Sequence, residues 1–422
     1  VPKGAAICDG FLASERQIPR IGHCFLATPR ETPKIVPDFD LRENTPVSAT
    51  SPAERLVSLD QFRGYTVFGM LLVNFVGSFV AIRSTLPLLA HHHTYCSYAD
   101  TIMPQFLFAV GFAFRLTFLK RVQSAGWGAA YRHALRRNVG LLVVAFAVYG
   151  VGARWEKWDD LAQRDAVLLR WAKQDLFQTL AHIAVTSIWV LPVIAARPGV
   201  RLGYAVASGV VHLGLSYAFN YRWVNTPPNG VDGGPLGFLT WSIPLLAGTL
   251  AYDVYQAIPA RGRLGVGFLG AGIGVMVLAY GLSCLHLAPA DLDEWHFRVS
   301  VAAAPLPLTH VDAKPPTNDL FTMSQRSGSL TYTLFGAGVS LAVLAVFVFA
   351  CDVGRLRVGM FRTFGSNALI SYVIHEVVFS SVKAFVPRDA PVWYVLLGCA
   401  VGMGLCYLFV RSLEKQKIYV KL

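Results

Sequence analysis

The sequence predicts an all-α, polytopic transmembrane helical bundle of about ten spans, and three observations carry that prediction. Hydrophobic residues make up 54% of the chain and charged residues only 15%, where ordinary globular proteins carry roughly 25% charged. The apolar residues gather into runs of about 20, the length a helix needs to cross the hydrocarbon of a bilayer. The run from Leu330 to Ala350 keeps almost no polar stripe, although a core helix of a soluble protein would show one.

Taken in order, residues 1–54 are polar, contain several prolines and show no sustained hydrophobic period. They lack a charged segment followed by an apolar run, so no signal peptide is expected. The composition predicts a poorly ordered cytoplasmic tail. The membrane domain follows over 55–411, with spans near 65–83, 100–119, 138–153, 175–195, 203–219, 236–253, 265–287, 330–350, 366–385 and 391–410. A basic cytoplasmic tail, 412–422, closes the chain.

The distribution of charge orients this map. With the N-terminus cytoplasmic, the inner loops and the C-terminal tail hold 17 basic residues, opposed only by Asp253, Asp352 and Glu414. The outer segments are close to balanced. Ten spans with both termini inside satisfy the positive-inside rule. The net charge of +12 is therefore a topology and lipid-headgroup signal and not a nucleic-acid footprint. The seven cysteines show no CxxC pair and no regular spacing, so neither a zinc site nor a disulfide framework is indicated.

Two outer loops are long. The first, about 154–174, is charged and carries Trp155, Trp158 and Trp171, the make-up of an amphipathic helix at the interface. The second, about 288–329, holds His296, His310, Asp291, Asp293 and Glu294 among several prolines; a loop of that length is usually functional or disordered.

Ionisable groups within spans are costly and are functional candidates by default. His375 and Glu376 fall near the middle of the ninth span. Adjacent helical residues point about 100° apart, so the two are expected to find separate partners. His182 and His212 read as satisfied structural histidines. In the first outer loop, His91, His92 and His93 precede Tyr95 and Asp100. Three consecutive side chains diverge and no further ligand completes a metal set, so no metal is expected. A histidine oriented by a carboxylate suits general-base chemistry instead. Asp100 reads equally as a carboxylate facing the positive end of a helix, and Pro104 suggests that a helix begins there. Before the first span, Asp60 and Arg63 sit three apart and can pair on a helix. Arg63 meets the membrane surface, where it could hold phosphates or simply set topology.

The run Arg55-Leu56-Val57-Ser58-Leu59-Asp60-Gln61-Phe62-Arg63-Gly64, leading into a span with Met70 and Asn74, resembles the opening signature of the heparan-alpha-glucosaminide N-acetyltransferase-like membrane proteins. The stretch Ala99-Asp100-Thr101-Ile102-Met103-Pro104-Gln105-Phe106-Leu107-Phe108-Ala109-Val110-Gly111 resembles that family's aspartate, proline and aromatic run ending in glycine. Arg136-Arg137, the segment Asp175–Ile183 with Gln178, and Gly365-Ser366-Asn367-Ala368-Leu369 are further similarities. The matches spread over residues 55–385. The resemblance implies transfer of an acetyl or other acyl group from cytoplasmic acyl-CoA to a sugar, glycan or glycolipid acceptor on the outer side. No permanently bound cofactor is implied; acetyl-CoA or another acyl-CoA is the donor. It places the catalytic histidine within His91–His93, with His91 or His92 the candidate beside Asp100. It directs attention to Asp60, Arg63, Gly64, Asn74, Gln178 and Asn367 for donor binding. Between histidine and aspartate the family carries a tryptophan and a glycine, where this chain reads His93-Thr94-Tyr95-Cys96-Ser97-Tyr98. The expected partners are membrane lipids, the acceptor and, as an open possibility, further copies of the chain. The expected location is a bacterial inner (plasma) membrane. The alternative is a proton-coupled transporter or flippase built on His375 and Glu376.

Overall fold

In a computed structural model, which describes residues 56–149, 158, 164–287, 299–309 and 319–420, the chain is built almost wholly from helices. Helix α1 runs Val57–Val76, and the short α2 covers Val80–Thr85. Helix α3 spans Tyr98–Tyr149 and is interrupted at Gly126, whose φ of 81° no helix accommodates. Then come α4 (Arg164–Arg170), α5 (Thr179–Val190), α6 (Pro198–Leu215) and α7 (Tyr221–Asn225). The series continues with α8 (Phe238–Ala257), α9 (Arg261–Ser283), α10 (Leu330–Phe347), α11 (Gly359–Ser366), α12 (Ala368–Lys383) and α13 (Val392–Lys415). The expected all-α composition needs one amendment, since β1 (Leu285–Leu287) pairs antiparallel with β2 (Val299–Val301).

The expected spans lie largely on helices, with the first divided between α1 and α2 and the second and third sharing α3. Among the described residues, six helices are long and apolar enough to cross a membrane, and seven if the pair Asp165–Asp175 and Thr179–Val193, bent by 68°, counts as one. The expected boundaries shift where tertiary partners intervene. The first helix begins eight residues before the predicted 65, because Ser58 donates to Asp352 at 2.8 Å and Gln61 binds both backbone groups of Val358. The helix start expected at Asp100 is there: α3 begins at Tyr98 with Asp100 in its first turn, and Pro104 follows in the next. The proline lies inside α3, where its ring packs on Gly336 of α10. The ninth span breaks at Asn367, whose non-helical backbone divides α11 from α12. Helix α13 runs past the expected tail boundary to Lys415. The 1–54 tail, residues 154–157 and 159–163 of the 154–174 loop, and His296, His310, Asp291, Asp293 and Glu294 lie outside the described residues.

Close helix crossings are made by glycine. A Cβ at Gly64 of α1 would stand 1.8 Å from the Phe361 carbonyl oxygen of α11, and one at Gly365 would stand 2.4 Å from that of Asp60. Gly111 of α3 and Gly248 of α8 repeat the reciprocal arrangement against Leu245 and Phe108. Small residues let helix backbones approach where lipid supplies no hydrophobic drive between helices. The charges that sequence assigned to topology also serve packing. Asp253 takes Arg115 on one oxygen at 2.6 Å and the fully buried Arg201 on the other, while Arg115 donates to the Ile194 carbonyl. Removing one member of such a buried cluster strands a charge, at a cost of about 3–5 kcal/mol.

Candidate active site

The loop between α2 and α3 holds the three histidines, and Asp100 organises it. Ser97 is the N-cap of α3: the Asp100 backbone N–H donates to Ser97 Oγ at 3.3 Å, and the Ser97 backbone N–H donates back to Asp100 Oδ2 at 3.0 Å. This reciprocal pair is a capping box. Ser97 Oγ–H lies 2.9 Å from Asp100 Oδ2 and 2.8 Å from the Ala90 carbonyl, and the His92 backbone N–H reaches Asp100 Oδ2 at 3.2 Å. The carboxylate is 1% exposed. Its other oxygen, Oδ1, accepts from His91 Nδ1 at 2.8 Å. Both readings of Asp100, helix cap and histidine partner, are therefore present at once, one on each oxygen.

That hydrogen bond fixes the tautomer of His91 with its proton on Nδ1. Nε2 then carries a lone pair, and among the described residues no protein group bonds it. His91 lines a cavity of about 70 Å³ with Met70, Val73, Asn74, Met103, Gln325 and Tyr332, among others. Partial desolvation lowers the His91 pKa, but the hydrogen bond and charge of Asp100, with the charge of Asp232 behind it, raise it by more, and the net shift is upward from 6.5. His92 is built differently. Its Nε2–H donates to the Pro87 carbonyl at 2.9 Å and its ring stacks on Tyr95 with 4.5 Å between centroids. Burial and the nearby Arg326 push His93 down to about 4, so it is neutral at physiological pH.

The remaining sequence candidates separate into two groups. Asn74 joins the cavity, with its Nδ2–H donating to His375 Nε2 at 3.2 Å. His375 Nδ1–H donates to the Tyr372 carbonyl, and Tyr372 lines the same cavity. His375 and Glu376 were expected to part, yet Nε2 and Oε1 are 3.3 Å apart because the longer glutamate curls back while remaining half exposed. The second group lies toward the other end of α1. Asp60 and Arg63 pair at 3.9 Å, Gly64 serves the α11 crossing, and Asn367 clamps the C-terminal segment through Ile418 and Val420. Gln178 precedes α5 and donates to the Gln174 carbonyl at 2.9 Å, while its neighbour Thr179 reaches the cavity.

Sequence reasoning missed three contributors. Tyr332 donates to the Asp100 carbonyl at 2.7 Å. Gln325 lines the cavity and donates to Asp232 Oδ1 at 3.1 Å. Asp232 sits at a φ of 52°, and burial, partly countered by Gln325 and His91, pushes it up to about 6. Only the length of the 288–329 loop hinted that its C-terminal portion, which carries Gln325, would return to the site.

Residues 55–257 match the family described as heparan-alpha-glucosaminide N-acetyltransferase, catalytic. The match covers a little under half of the chain and supports a heparan-alpha-glucosaminide N-acetyltransferase-like family. The match contains the capping box, all three histidines, Asn74 and Gln178, and extends to Asp232. Gln325, Tyr332 and Tyr372 complete the same cavity from outside it. No curated protein matches the chain. An acyltransferase-type catalytic region within a polytopic helical membrane protein is the activity class this supports.

Proposed function

We propose that the protein transfers an acetyl or related acyl group from acyl-CoA to an amine or hydroxyl of a sugar-type acceptor, with His91 as general base. The observation that carries the reading is that His91 lines the cavity while its Nδ1–H bond to Asp100 leaves Nε2 without a protein partner among the described residues. A base held this way takes the acceptor's proton as its nitrogen or oxygen attacks the thioester carbonyl. The carbon–sulfur bond then breaks, CoA leaves as the thiolate, and His91 returns the proton to it. An acyl-histidine route would use the same nitrogen as nucleophile. Asp100 stabilises the imidazolium in either case.

The donor's path follows α1. Arg63, Met70 and Asn74 fall within about 40° of one another around the helix and span about 16 Å along it. Met70 and Asn74 line the cavity and Arg63 stands at the far end of the same stripe. Arg63 and Arg137 lie close enough to repel each other, which suits a polyphosphate anion between them. In the ten-span orientation this end is cytoplasmic and His91 is outward. The cavity itself has room for only a few waters, so acyl and acceptor groups enter it while the bulk of CoA stays outside. The carrier alternative gains less support, since both ring nitrogens of His375 are already engaged.

The test is transfer of labelled acetyl from acetyl-CoA to glucosamine by the purified chain in detergent. Transfer by the wild type and none by His91→Gln is expected. Equal transfer by both would remove His91 from the chemistry.

A further inference from the structure

A second histidine–aspartate pair lies on the same side of the fold and is built on the same plan. Asp319 holds one oxygen on the backbone N–H groups of Phe321 and Thr322, at 2.8 and 3.0 Å, as Asp100 does on Ser97 and His92. Its other oxygen accepts from His286 Nδ1. The aspartate is 2% exposed and the His286 side chain 10%. The Nδ1 proton again leaves Nε2 as an acceptor. That atom is buried and finds no partner among the described residues.

A buried imidazole nitrogen without a partner has given up its hydration with nothing in exchange. His286 opens on a small cavity lined by Thr94, Ser283, Pro305, Thr322 and Met323. The volume admits a single oxygen-sized group, and the lone pair on Nε2 calls for one that donates a hydrogen bond. A hydroxyl fits, and a ring, a phosphate or a carboxylate does not.

The two cavities have no lining residue in common, but neighbouring stretches of chain line both. Thr94 of the second is three residues from His91 of the first, and Met323 is two residues from Gln325. Three residues reach at most about 10 Å and two about 7 Å. We propose that His286 and Asp319 form an acceptor-anchoring subsite, in which Nε2 takes one hydroxyl of a sugar-type acceptor while another group of that acceptor meets His91. The subsite deepens the acyltransfer reading and rests on it for the identity of its ligand class.

Equilibrium binding of labelled glucosamine to the full chain in detergent gives the test. His286→Gln should weaken that binding about tenfold, the worth of one hydrogen bond; an unchanged affinity in the folded variant overturns the subsite. Kinetics supply the second arm. His286→Gln should raise KM for glucosamine by about the same factor and leave kcat and KM for acetyl-CoA within a factor of about two. An unchanged KM for glucosamine also overturns it. If the wild type transfers nothing to glucosamine, the acyltransfer reading fails, and the binding comparison still decides the subsite.

Discussion

His91 and His375 both have a carboxylate oxygen within 3.3 Å, and they differ in what the ring has left to offer. His91 lies in a loop, where a capping box fixes Asp100 before the histidine is added. Its Nδ1–H goes to the carboxylate, and Nε2 is left without a protein partner among the described residues. His375 lies within α12, where the carbonyl one turn back, that of Tyr372, takes Nδ1–H and the Asn74 amide takes Nε2. Glu376, its immediate neighbour, leaves the helix on another face and stays half exposed. Proximity of a histidine to an acid thus says little by itself. The order in which hydrogen bonds are committed decides which ring can still move a proton.

Substitutions should widen or collapse that contrast. His91→Gln should lower transfer about 10³-fold, within the range of a lost general base, while His92→Gln lowers it less than about tenfold because the His92 ring is committed to the Pro87 carbonyl and to Tyr95; comparable losses would dissolve the distinction drawn in the loop. Asp100→Asn should cost about 100-fold in kcat and lower Tm as well, since the carboxylate also closes the N-terminus of α3. His375→Gln should cost about tenfold by freeing Asn74 in the cavity, whereas Glu376→Gln, at an exposed carboxylate, should stay within about twofold. A loss at Glu376 as large as that at His91 would favour the carrier reading. The smallest effect on chemistry should come from Gly64→Ala, whose new methyl meets the Phe361 carbonyl: about 1–3 kcal/mol of stability, read as a lower Tm, with kcat little altered in the folded fraction.

Much of the fold was legible because hydrophobic runs near span length report directly on helices in a bilayer. Boundaries were less so, because Ser58 and Gln61 extend α1 through partners some 294 and 297 residues away. At the site, the spacing of His91 and Asp100 was legible through the family resemblance, but the choice between His91 and His92 depends on where the Pro87 carbonyl falls in space. Asp232 and Gln325 were illegible for a related reason. Each is an ordinary polar residue in a loop, and only the folded chain brings both to His91. Of the proposed donor residues, Gly64 and Asn367 have packing and clamping roles that a motif cannot distinguish from binding.

The central claim is that Asp100 sets the basicity of a catalytic His91, and the pH dependence of kcat/KM for acetyl transfer tests it most directly. His91 must be unprotonated to act, and its pKa lies above 6.5 because Asp100 outweighs the desolvation. The wild-type profile should therefore fall on its acid side with a midpoint above 6.5. Asp100→Asn removes both the charge and the charged hydrogen bond, so the residual activity should fall with a midpoint at lower pH. An acid limb that stays at the same pH in the variant would contradict the account.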